Sequence, residues 1–252
     1  MSVKIISFVN HKGGVGKTTS AVNIGAGLNL LGKRVLLVDI DPQSNLTDHL
    51  GLSTEEEKTI YGALKEQYPL PVVTVKDGLD VTPSTLDLAG AEIELSSKIG
   101  REIILKKLLR NISGGYDYVL IDCPPSLGLL TINGLTASDM AIIAAEPGKF
   151  SMLGMKRLIE VFGTVQEILN RDLTDYRILV TKYDTRQSLP RQFTDFIQET
   201  YKGKVYRTVI RSNVSLSDAQ MQGKSVFDTA TKSKGAEDYL AVCEEIIGDN
   251  KN

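Results

Sequence analysis

Ile5-Ile6-Ser7-Phe8-Val9-Asn10-His11-Lys12-Gly13-Gly14-Val15-Gly16-Lys17-Thr18-Thr19 stands near the start of the chain. An apolar run passes directly into a glycine-rich stretch, which is followed by the amphipathic segment Thr18–Leu31. A strand, a loop and a helix in that order form the setting of a phosphate-binding loop. Glycine reaches positive φ without steric cost, so the loop can turn its N–H groups inward as an anion nest. The helix then aims its positive end at the same point. Lys12, Gly13, Gly14, Val15, Gly16, Lys17, Thr18 and Thr19 are therefore the candidate nucleotide-binding residues. Lys17 supplies a charge for the β- and γ-phosphates, and the Thr18 hydroxyl is the expected Mg²⁺ ligand. His11 stands where the strict G-x-x-x-x-G-K-[ST] pattern has its first glycine, so the loop is the deviant K-G-G-x-G-K-T form. Lys12 is a second cation, which reads as reaching a nucleotide held by a partner subunit.

Further short apolar runs follow at Val35–Val38, Leu79–Val81, Tyr118–Ile121, Met140–Ala144 and Ile178–Val180. Most are continuous rather than alternating, as in strands covered on both faces. Helical patterns lie at Glu102–Leu109, Met152–Leu169 and Ala236–Ile247. The expectation is an α/β fold with a mainly parallel twisted sheet and helices on both faces. Gly32 reads as the glycine that ends the first helix. Ser53–Val75, with a capping-box pattern at Ser53 and Glu56 and the prolines Pro69 and Pro71, and Ser84–Gly100 read as elements decorating the sheet. Residues 1–252 read as one domain, with Gly248–Asn252 as a loose tail.

Two more of the strands end in carboxylates: Val35-Leu36-Leu37-Val38-Asp39-Ile40-Asp41 and Tyr118-Val119-Leu120-Ile121-Asp122-Cys123-Pro124-Pro125. In open parallel sheets, ligands collect at the carboxyl ends of strands, where Lys17 and Thr18 also lie. Asp122 fits a metal-holding acid, Asp41 a group that positions the attacking water near the metal, and Asp39 a supporting acid behind them. The metal set read here is Thr18, Asp41 and Asp122, and the catalytic set is Lys12, Lys17 and Asp41.

The composition sets limits. The 252 residues are 42% hydrophobic and 24% charged, with a net charge of -2, which excludes a polybasic, histone-like protein. Two cysteines, Cys123 and Cys243, and two histidines exclude a disulfide framework or a cysteine-rich zinc site. No run approaches a membrane span and no signal-peptide pattern precedes the first strand, so a cytoplasmic protein is expected. The charge is unevenly spread. Tyr201–Gly235 carries Lys202, Lys204, Arg207, Arg211, Lys224, Lys232 and Lys234 against Asp218 and Asp228, a balance of +5, leaving -7 for the rest. Those seven cations are the candidate DNA-binding residues. Without a base-reading motif they point to phosphate contacts, and so to binding without sequence specificity.

K-G-G-V-G-K-T-T, L-L-V-D-I-D-P-Q and D-C-P-P together resemble the ParA/MinD family of deviant Walker-A P-loop ATPases, most closely its ParA (Soj-like) branch. Ser233-Lys234-Gly235-Ala236 with Tyr239-Leu240 is similar to that branch's C-terminal signature. The resemblance implies an ATP- and Mg²⁺-dependent homodimer in which Lys12 crosses to the partner's phosphates and bulk at Gly13 would block closure. It implies non-specific DNA binding at the nucleoid and segregation of plasmid or chromosomal DNA. Hydrolysis would be weak alone, dependent on Asp41 and stimulated by a ParB-like centromere-binding protein. The chain departs from the family pattern at Arg211, where a proline near the adenine is usual, and at Ser212 and Ser215, which replace arginines. Lys232 replaces an arginine too, keeping the charge but losing bidentate geometry. Two related readings are a MinD-like membrane-associated switch, which the acidic C-terminal segment Glu244-Glu245 disfavours, and a ParA-like positioner of non-DNA cargo.

Overall fold

β1 (Lys4–Val9) has a parallel neighbour on each side, β5 (Tyr118–Asp122) and β6 (Met140–Ala145), and shares the centre of the sheet's parallel part with β5. This is a computed structural model that describes residues 3–52, 58–148 and 151–249. β2 (Val35–Asp39) lies beyond β5, followed by β4 (Leu79–Thr82) and β3 (Val73–Lys76), and β7 (Asp175–Val180) lies beyond β6. The order is β3-β4-β2-β5-β1-β6-β7, and every pairing is parallel except β3 with β4. The strands expected from the apolar runs all form. β3 begins inside a segment expected only to decorate the sheet; it is a short antiparallel edge strand. The Ser53–Glu56 capping pattern lies outside the described residues.

Successive side chains of a strand point to opposite faces. Leu36 and Val38 enter one core cluster, Val35 and Leu37 the other. On the second face lie α1 (Lys17–Leu30), α2 (Asn45–His49) and the terminal helix of the chain. The first face is covered by α3 (Ile60–Leu64), α4 (Ala91–Glu94), α5 (Ile104–Arg110), α6 (Leu129–Ala137), α7 (Ser151–Ile168) and α8 (Ser188–Thr200). The remaining elements are α9 (Val214–Met221), α10 (Val226–Thr229) and α11 (Lys234–Asp249). Gly32 does follow α1 in a left-handed turn, φ 78°, its N–H donating to the Asn29 carbonyl. α11 continues through Gly248 and Asp249, two residues into the segment read as a tail.

α1 is buried over most of its length, from Ser20 to Leu28, because it is enclosed on two sides. A Cβ on Gly25 would stand 2.7 Å from Leu37 Cδ2 of the sheet, and one on Gly27 2.7 Å from Cys243 Sγ of α11. These two glycines let α1 settle against both neighbours, which fixes the direction in which its N-terminus points.

Candidate functional site

The loop after β1 wraps a cavity of about 500 Å³ at the carboxyl end of the sheet. Gly14 and Gly16 have φ of 73° and 86°, the left-handed backbone that an inward-turned loop requires. Gly13, Gly14, Gly16, Lys17, Thr18 and Thr19 line the cavity. Two residues of the motif do not. Val15 is buried in the core, its carbonyl accepting a 2.7 Å hydrogen bond from Thr181 Oγ1. Lys12 is half-exposed, and its Nζ lies 2.8 Å from Glu146 Oε2. Asn10 braces the loop: its side-chain amide donates to the Ala144 carbonyl at 2.6 Å, and its Oδ1 accepts from the Lys12 N–H at 3.0 Å. Asn10 and Thr181 escaped the sequence reading because neither belongs to a charged motif. Their position at strand ends beside the loop was the available signal.

The carboxylates follow from strand register. Asp39 and Asp122 are direct neighbours across β2 and β5, and Asp122 is opposite Phe8 of β1. Asp122 Oδ2 accepts a 2.6 Å hydrogen bond from Thr18 Oγ1, while its buried Oδ1 has no partner. Burial, with the Asp39 charge beside it, pushes the Asp122 carboxyl well above the usual range, against the pull of Thr18 and Lys17. Asp39 is pushed up to about 7, chiefly by burial. Its oxygens accept from Thr47 N–H at 3.0 Å, Thr47 Oγ1 at 2.8 Å and the Asp41 N–H at 3.1 Å. Asp39 therefore clamps the loop between β2 and α2. Asp41 rides on that loop, lines the cavity, and accepts from the Gln43 N–H at 2.9 Å.

Among the described residues no three His, Cys, Asp or Glu side chains converge as a metal cage. The donor set instead suits a hard cation held together with a phosphate: the Thr18 hydroxyl, the unpartnered Asp122 Oδ1, and the loop beside them. Magnesium is bound in this manner, through one or two protein oxygens plus phosphates and water. Mg²⁺ fits the residues present.

A second cavity of about 250 Å³ adjoins the first, with Gly16, Thr19, Lys182, Ser217 and Gln220 common to both. Ile210, Leu216 and Tyr239 give it apolar walls, and Asn213 and Ser212 polar ones. Arg211 also lines it, held by Asp238 (Nη2 to Oδ1, 2.6 Å) and Glu237 (Nη2 to Oε2, 3.2 Å).

The seven cations of Tyr201–Gly235 do not form one free set. Besides Arg211, Lys204 pairs with Asp175, and Arg207 lies 3.7 Å from Glu245. All four acids lie outside the segment, so its +5 balance overstates the free charge. Lys202, Lys224, Lys232 and Lys234 are exposed and make no ion pair among the described residues. Cys123 and Cys243 are buried in separate core clusters, one on each face of the sheet.

The family model described as an AAA domain matches residues 3–175. The chain is 45% identical over 247 residues to the sporulation initiation inhibitor protein Soj of Bacillus subtilis, covering 96% of this chain and 98% of that protein. The chain belongs to the ParA/Soj family of chromosome-partitioning ATPases. It is also 40% identical to the chromosome partitioning protein ParA of Myxococcus xanthus, across 97% of this chain and 88% of that one. Among solved structures, cobyrinic acid a,c-diamide synthase from Mycobacterium smegmatis with bound ADP and magnesium superposes with a TM-score of 0.87 at 33% identity, covering 99% and 96% of the two chains. A plasmid partition protein from Borrelia burgdorferi shares the ParA/Soj fold with a TM-score of 0.80 at 23% identity, over 99% and 100%. These similarities cover 96–99% of the chain and so take in the basic segment.

Proposed function

We propose that this chain binds Mg·ATP in the two joined cavities, dimerises on it, binds DNA without sequence specificity as the dimer, and is released by hydrolysis. The observation that carries the reading is the buried carboxylate of Asp122, its Oδ1 unpartnered and its Oδ2 accepting from Thr18, which with Lys17 lines the glycine-loop cavity. The loop N–H groups and Lys17 hold the β- and γ-phosphates, and Thr18 and Asp122 hold the metal. Bound there, Mg²⁺ supplies positive charge to the phosphate oxygens. Asp41 accepts a hydrogen bond from a water and orients its oxygen toward the γ-phosphorus. That oxygen forms the new P–O bond as the bond to the ADP oxygen breaks. The prearranged site stabilises the spreading negative charge.

Lys12 supports the dimer. It lies outside its own cavity, and among the described residues its ammonium is held by a half-exposed ion pair, which is worth under about 1 kcal/mol. Release toward a partner's phosphates is therefore cheap. Gly13 points the same way: the nearest atom to a Cβ there is 4.0 Å away, on Pro125, so its own chain does not demand a glycine.

The DNA face is assigned to Lys202, Lys224, Lys232 and Lys234, doubled when ATP joins two copies. A ParB-like protein is the proposed stimulator of a slow intrinsic reaction, and the nucleoid in the cytoplasm the proposed location. A membrane switch is disfavoured because the apolar side of α11 (Tyr239, Val242, Cys243, Ile246) is consumed against α1. Among the described residues no helix is long and apolar enough to cross a membrane.

Light scattering with Mg·ATP tests this reading with two variants. Lys12→Ala is expected to remain monomeric while still binding ADP. Asp41→Ala is expected to form a lasting dimer that does not release phosphate. A Lys12→Ala dimer of normal affinity would refute the crossing.

A further inference from the structure

Lys182 has a φ of 51°; among the described residues only Ser44 and Glu66 share a positive φ without being glycine. A lysine gains nothing sterically from that conformation, so its surroundings impose it. Both neighbours are pinned. Thr181 donates its N–H to the Ala145 carbonyl at 2.9 Å and its hydroxyl to Val15 of the phosphate loop at 2.7 Å. On the other side, the Tyr183 N–H donates to the Ile210 carbonyl at 2.9 Å, in the wall of the smaller cavity. Lys182 is thus held between the loop and the smaller cavity, and it lines both spaces. It is exposed, and it makes no ion pair among the described residues. The adjacent acid, Asp184, is occupied by Arg186 at 2.9 Å and by Gln187.

From this placement we infer that Lys182 binds the nucleotide phosphate nearest the sugar, as a cation separate from Lys17 and Lys12. The inference rests on the nucleotide reading above and adds a residue to it. Where the two cavities meet, a triphosphate laid along the loop turns into its nucleoside. A mobile ammonium at that neck meets the α-phosphate, which ADP and ATP share. A charge-assisted contact at a partly wet site is worth about tenfold in affinity. Loss of Lys182 therefore weakens both nucleotides alike, whereas loss of Lys12 acts on the ATP-bound dimer alone.

Calorimetric titration of Mg·ADP into the full chain tests this with three variants. Lys182→Met keeps the length and removes the charge; it is expected to bind about tenfold more weakly, with a shallower dependence on salt. Lys182→Arg is expected to restore most of the affinity. Lys182→Gly relaxes the backbone and is expected to bind as weakly as Lys182→Met. Adenosine, which has no phosphate, is expected to bind all four proteins equally. Wild-type ADP affinity and salt dependence in Lys182→Met would overturn the assignment while leaving the nucleotide site intact. Failure of the unaltered chain to bind ADP would overturn the underlying reading as well.

Discussion

Thr18 Oγ1 and Asp122 Oδ2 lie 2.6 Å apart, joining the first turn of α1 to the end of β5. The bond places the pair proposed to hold the metal on two elements packed in the core. It also buries a carboxylate beside Asp39, with burial and that neighbouring charge both opposing ionisation. The site is therefore expected to cost stability. Asp122→Asn should raise the unfolding free energy measured in urea without Mg²⁺ by roughly 1–2 kcal/mol, and with it the midpoint, while cutting Mg·ATP hydrolysis at least about 100-fold. A lowered midpoint would show that the ionised acid supports the fold.

The basic segment separates into paired and unpaired cations, and DNA binding should follow that division. Lys232→Glu with Lys234→Glu is expected to weaken ATP-dependent DNA binding and to reduce the salt slope by about one unit for each DNA phosphate no longer neutralised. Lys204→Ala should change that slope little, because Asp175 already holds its ammonium. Electrophoretic titrations across a salt series measure both. Equal slopes for the double variant and the unaltered chain would move the DNA face elsewhere.

Two helical glycines should respond in opposite directions. A Cβ on Gly27 would meet Cys243 Sγ at 2.7 Å and Phe227 Cε2 at 3.2 Å, so Gly27→Ala overpacks the α1–α11 contact. It is expected to cost about 1–3 kcal/mol despite alanine's better helix propensity. Gly163 in α7 has nothing within 4 Å of a Cβ, so Gly163→Ala should stabilise by about 0.5–1 kcal/mol. Thermal midpoints of the two variants on either side of the unaltered chain would bear this out.

His49, on α2, is fully buried, and burial lowers its pKa to about 4, against a smaller opposing pull from the Lys224 backbone. Between pH 6.5 and 4 the unfolded chain takes up a proton at this position that the folded chain refuses. Stability from this group is thus complete above pH 6.5 and is lost as the pH falls, by about 2 kcal/mol at pH 5. His49→Leu should flatten the pH dependence of the denaturation free energy between pH 7 and 5 by that amount. An unchanged slope would show that the folded chain protonates His49 as readily as the unfolded chain does.

Tyr201–Gly235 shows where reading the chain residue by residue stops. Its cations could be counted, but their partners (Asp175, Glu237, Asp238 and Glu245) are up to 38 residues away in sequence. The edge strand β3 was hidden for a different reason. Four partly exposed residues after two prolines carry no apolar run, and only pairing with β4 makes them a strand.

The sequence by itself determined what is local: a glycine loop between a strand and a helix, acids at strand ends, and continuous apolar runs that require cover on both faces. Each is a property of neighbouring residues, because backbone freedom and side-chain alternation act over a few positions. Tertiary structure alone decided which charges are free. It set Asp122 against Thr18, tied Lys12 to Glu146 and Arg211 to Asp238, and left Lys182 at the neck of two cavities. Charge pairing and burial depend on distances across the fold, which the order of residues along the chain does not contain.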